Sequence, residues 1–175
     1  MASIKQLDRD LDKILHEKMM LVYSCIGIVM RKRYHWEKNG ILNLFEKCEE
    51  VWKECAKDNS KSMVQMLDEE VGIEIQIGDG KSWKEIAFLN AEYDFPRLTR
   101  PQWIYMRMRQ RKWILPQITA CMLLALHRKC GFDSDQIEDV YERLLKVEQD
   151  NLFDPVLACH ICEKVTGVRV MEVTG

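Results

Sequence analysis

The chain has 175 residues, of which 47% are apolar and 31% charged, with a net charge of −2. This composition supports a packed core in one domain or two small ones, and it excludes a disordered chain or a uniformly basic polyelectrolyte. Scarce glycine (8) and proline (4), with abundant methionine (10), favour helices.

The first stretch, MASIKQLDRDLDK, is polar and charged, unlike a secretory leader. The seven cysteines are an odd, scattered set, which predicts free, buried thiols in a reducing cytoplasm. The longest apolar runs, MMLVYSCIGIVM (19–30) and QITACMLLAL (117–126), fall short of the ~18 residues that span a bilayer, so they predict core helices and no membrane association.

The run at 19–30 ends in Arg31, Lys32 and Arg33, cations that suit a helix C-terminus. Trp36 follows as an aromatic plug at a corner. A second helix carries Ile41, Leu44, Phe45, Cys48, Val51 and Trp52 at i, i+3, i+4 spacing. A short third helix is expected between an Asn59 N-cap and Gly72, and VGIEI predicts an extended tail at 71–77.

Residues 78–112 have a different character. The fragment GDGKS lacks the glycine five positions before Gly80 that a phosphate loop needs, because Ile75 stands there, so a turn is expected. YDFPRLTRPQW predicts irregular chain, with Pro101 in the first turn of a helix through Arg111 and Pro116 starting the next helix or kinking this one. The run at 117–126 then ends in Arg128 and Lys129, and Phe132 marks a second corner. A helix with Ile137, Val140, Tyr141, Leu144 and Leu145 follows. Asp154 caps a short helix that ends at Gly167, with an extended tail expected at 167–173.

The two halves align. Residues 25–51 match 121–147, and 59–75 match 154–170, pairing Cys25 with Cys121, Trp36 with Phe132, Phe45 with Tyr141 and Gly72 with Gly167. Two consecutive blocks in the same order predict an internal duplication. The expected fold is all-α or nearly so: a single domain over 1–175, with unit A about 15–77, an insertion at 78–112 and unit B about 113–173. The units are expected to pack with pseudo-two-fold symmetry.

Unit B resembles small phage- and prophage-encoded helical proteins of Gram-positive bacteria. Their pattern, ALHxxFGFG followed by LxEETGIE, is matched by Ala125-Leu126-His127, Gly131-Phe132 and Lys164-Val165-Thr166-Gly167-Val168. Unit A matches at Leu67-Asp68-Glu69-Glu70-Val71-Gly72-Ile73-Glu74 and departs at His35-Trp36. The resemblance covers about two-thirds of the chain and implies a mobile-element origin and a bacterial host cytoplasm; it implies no activity.

Catalytic chemistry is not legible. Cys159-His160-x-Cys162 lacks the second ligand pair of a zinc site, and Val64 and Leu67 stand opposite its cysteines, so core positions are expected and no metal. No triad or acid–base pair emerges from His16, His35, His127 or His160, nor from Asp8, Asp10 and Asp12. No cofactor is expected.

The strongest functional signal is RLTRPQWIYMRMRQRKW (97–113), six cations without an acid. Arg97, Arg100, Arg107, Arg109, Arg111 and Lys112 interleave with Trp103, Tyr105 and Trp113, joined by Arg31, Lys32 and Arg33 as a possible contact surface. The bland alternative is an amphipathic helix whose arginines pair with neighbouring acids. The expected function is a non-enzymatic binding protein, monomeric or homodimeric. It would block or modulate a host nucleic-acid machine through a protein partner, as an anti-defence (anti-CRISPR-like) inhibitor does. The alternative is direct DNA or RNA binding in phage replication or transcription control, where these cations grip phosphates and the aromatics stack on bases.

Overall fold

The computed structural model describes residues 3–57, 61–76, 82–86 and 99–174, without the side chains of Ile4, Glu85, Ile86 and residues 102–110. The described residues are mostly helical, with no strand among them. In chain order the helices are α1 (Ile4–Tyr34), α2 (Lys38–Lys57), α3 (Met63–Val71), α4 (Trp83–Ile86), α5 (Arg100–Cys130), α6 (Ser134–Asp150), α7 (Pro155–Thr166) and α8 (Val170–Thr174).

The ends follow local chemistry. Ser3 and Asp133 cap α1 and α6 by accepting from the backbone N–H three residues on, and Gln136 completes a capping box. Asp154 accepts from the N–H groups of Val156 and Leu157 at the start of α7. The expected cap Asn59 lies outside the described residues, and Ser62 caps α3. Gly72 and Gly167 both close their helices in the left-handed region (φ +80° and +77°).

The core is the apolar halves of α1 and α5 clasped by the shorter helices. Leu21, Ile26, Met30, Met122, Leu123 and Leu124 are fully buried, and so is the α2 stripe from Ile41 to Val51. Trp52 and Leu145, expected on the buried stripes of α2 and α6, are 39% exposed. α1 packs chiefly on α7, α5 and α6, while α5 packs on α1, α2 and α3, so each long helix is covered mainly by short helices from the other half. Gly27 makes the α1–α7 approach possible: a Cβ there would lie 3.0 Å from Cys162 Sγ.

The corners follow one pattern. The Trp36 N–H donates to the Met30 carbonyl and the Phe132 N–H to the Leu126 carbonyl, both at 3.1 Å. His35 and Gly131 precede them in the left-handed region (φ 57° and 74°). Trp36 meets Phe132 edge-on at 5.9 Å, and Tyr34 lies 5.2 Å from the same ring.

Two expectations change, at 167–173 and at Pro116, while the other tail stays non-helical. The tail at 167–173 is not extended: Val170–Thr174 forms α8, because Val170 enters the core and Arg169 bonds both Glu163 and Glu172. Residues 72–76 have no helical structure. Pro116 does not start a new helix, since α5 runs across it and across the boundary drawn at 112 and 113.

Candidate functional site

Most side chains of the basic stretch lie outside the described residues. Arg97 lies outside the described residues, and so do the side chains of Trp103, Tyr105, Arg107 and Arg109. Arg100 and Lys112 are exposed. Arg111 is half-buried and reaches Asp10 at 3.4 Å, while its Nε is buried without a partner among the described residues. At Arg111 the arginine–acid pairing of the bland alternative is what the structure contains.

The basic end of α1 is fully described. Arg31 donates to the Trp36 carbonyl (3.3 Å) and to Glu37 (3.1 Å), so it closes its own corner. Arg33 and Lys32 instead face α6. They line a cleft of about 310 Å³ with Arg143 and Lys146, floored by Ile28, Val29 and Val147, with Asp150 at its rim. Asp139 accepts from Tyr34 Oη (2.8 Å), Arg143 Nε (2.9 Å) and Arg33 Nε (3.4 Å). Burial pushes that carboxyl up, but these donors outweigh it and hold it below its ordinary value. Burial beside Asp139 raises the Tyr34 phenol to about 12, so it stays a donor. The α6 half of the cleft escaped the sequence reading. Its signal was there: Asp139, Arg143, Lys146 and Asp150 lie at i, i+4, i+7 and i+11, one polar stripe of a helix.

A second feature is the loop joining α6 to α7. Leu152 and Phe153 take left-handed conformations (φ 57° and 54°), which cost about 1–2 kcal/mol per residue for non-glycine side chains. The loop is held there by the Leu152 N–H on the Gln149 carbonyl, the Phe153 N–H on the Glu148 carbonyl and the buried Asn151 amide on the Val147 carbonyl, all within 2.9 Å. The strain does not serve burial. Leu152 is 78% exposed and Phe153 48%, and Val156 and Leu157 on the first turn of α7 extend the same apolar ridge. Asp150 and Asp154 flank it.

Beneath α6, Glu148 occupies a core position in register with Ile137, Val140 and Leu144, and its Oε1 has no partner among the described residues. Burial raises its carboxyl from 4.5 to about 7, against the pull of Lys18.

Cys48 and Cys121 lie 3.6 Å apart beside an apolar pocket of about 320 Å³ that includes Leu15, Met19, Tyr23, Trp52 and Ile118. The Cys48 thiol points at Cys121 Sγ, and the Cys121 thiol donates to the Cys48 carbonyl at 3.3 Å. Contact with Cys121 and Tyr23 lowers the Cys48 thiol against its burial, while contact with Cys48 and burial raise Cys121. No histidine lines this pocket to serve as a base. Cys159 and Cys162 are core side chains, bonded to Ser24 (3.3 Å) and Thr166 (3.5 Å), while His160 is exposed. Among the described residues no group of three or more His, Cys, Asp or Glu side chains is placed to hold a metal ion. His127 Nδ1 lies 2.8 Å from the Phe132 carbonyl, an acceptor only, so that nitrogen carries the proton and fixes the corner.

No protein-family model, curated protein or solved structure matches the chain. No described helix is long and apolar enough to cross a membrane.

Proposed function

We propose that this is a non-enzymatic, phage- or prophage-encoded binding protein that blocks or modulates a host nucleic-acid machine by occupying a protein surface on it. The observation that carries the reading is the apolar ridge of Leu152, Phe153, Val156 and Leu157, presented to solvent by a strained loop. Strain that stabilises no core is retained where a side chain must be displayed, and adjoining exposed apolar side chains are the usual core of an interface. The acidic flanks Asp150 and Asp154 favour a partner whose apolar groove is rimmed by cations, as nucleic-acid-binding proteins provide. Tandem duplication belongs to the same proposal. Supporting it are the equal 31-residue lengths of α1 and α5, the matched corner hydrogen bonds and the matched helix-ending glycines.

The test is to add the purified protein to Gram-positive cell extracts performing transcription, replication or nuclease cleavage. Inhibition of one of these, relieved by Phe153→Asp, is expected. No inhibition, or inhibition that Phe153→Asp leaves intact, overturns the reading. Retention of labelled oligonucleotides at physiological salt, with no effect of the ridge variant, would favour direct nucleic-acid binding instead.

A further inference from the structure

The cleft between α1 and α6 and the corresponding end of α5 are built from similar parts and finished differently. At the end of α5, Arg128 forks onto Glu70 through Nε (2.9 Å) and Nη2, Lys129 meets Glu54 at 2.7 Å, and Lys47 donates to the Lys129 carbonyl at 3.4 Å. Every one of those cations is satisfied internally. At the end of α1, four cations face two carboxylates. In the repeat alignment, Lys146 stands where α2 has Glu50. Neither Lys32 nor Lys146 has an ion-pair partner among the described residues, and both are exposed.

The arginines are spoken for on one side only. Asp139 takes Arg33 and Arg143 through their Nε atoms, and neither residue's terminal Nη groups make a hydrogen bond among the described residues. A carboxylate shared in this way acts as a strut. It holds two guanidinium groups near each other and leaves their outer donors unused, while the Tyr34 hydroxyl fixes the strut itself. Capping the α1 dipole explains cations on its last turn. It does not explain Arg143 and Lys146, which come from another helix and line the same cleft.

From this geometry we infer that the α1–α6 cleft binds the phosphate group of a nucleotide, free or at the exposed end of a strand. Lys32, Lys146 and the free ends of Arg33 and Arg143 take the phosphate oxygens, and half-buried Val147 with the aliphatic stems of Lys32 and Lys146 packs the organic part. A volume of about 310 Å³ holds one phosphorylated unit and is too small for a duplex. Asp150 at the rim disfavours a second phosphate there. The site lies between α1 and α6 and shares only Asp150 with the flank of the ridge on the α6–α7 loop.

The experiment is calorimetric titration of the full chain with AMP, with inorganic pyrophosphate, and with a short 5′-phosphorylated single-stranded DNA, at low salt. AMP binding is expected to weaken on the order of tenfold or more in Lys32→Gln/Lys146→Gln, and to be unchanged in Arg100→Gln/Lys112→Gln. Both pairs are exposed, and circular dichroism confirms that each variant folds. DNA that binds and is displaced by AMP identifies strand ends as a source of the ligand; AMP binding without DNA binding identifies free nucleotide. Pyrophosphate binding that ignores Lys32→Gln/Lys146→Gln, loss of binding confined to Arg100→Gln/Lys112→Gln, or no binding of any probe overturns the inference.

Discussion

Glu148→Gln tests the core directly. Glu148 is 2% exposed and one carboxylate oxygen has no partner among the described residues, so ionising it in the fold is costly, and burial lifts its pKa from 4.5 to about 7. Between those values the folded chain holds a proton that the unfolded chain has released. Stability is therefore full below about pH 4.5 and falls as pH rises through 7. A displacement of roughly 2.5 pH units corresponds to about 3 kcal/mol, nearly all of it lost by pH 8. For a chain of this length that is about 6–12 °C in Tm. Glutamine keeps the shape and cannot ionise. The assay is thermal and urea unfolding of both proteins from pH 5 to pH 8, read as the variant minus the wild type. That difference removes the opposite trend of Asp139, whose lowered pKa stabilises the fold as pH rises. Glu148→Gln should gain about 2.5 kcal/mol relative to the wild type between pH 5 and pH 8, the rest of the loss having occurred below pH 5. A constant difference across that range would refute the burial argument.

Other outcomes follow from single contacts. Leu152→Gly should raise stability by about 0.5–1 kcal/mol in urea unfolding, because relief of a left-handed leucine exceeds the added entropy of the unfolded glycine. The same change should abolish the inhibition proposed for the ridge, separating stability from function. Gly27→Ala should destabilise by about 1–3 kcal/mol, since the new methyl meets Cys162 Sγ at 3.0 Å. Adding Cys162→Ala should recover most of that loss in a double-mutant cycle, and additive costs would show the clash is not the cause. Asp133→Ala should cost about 1 kcal/mol by removing the capping box of α6, read as a shift in urea midpoint at constant m.

The sequence determined what depends on neighbours along the chain. Periodicity placed the buried stripes of α2 and α6 except at Trp52 and Leu145, charge and glycine placed the helix ends, and the aromatic residue after each basic helix end placed the corners at Trp36 and Phe132. It failed where a distant helix decides. Glu148 looks like a surface residue on α6 until α1 covers it, and α8 forms only because Val170 finds a core to enter. Pro116 looked like a boundary, yet α5 continues through it. The cleft shows the division most clearly. Lys32 and Arg33 were visible as cations at a helix end, but Arg143, Lys146 and the Asp139 strut lie more than a hundred residues away. Which cations find acid partners and which are left open is a matter of the distances that packing sets between helices, and no spacing along one chain encodes it.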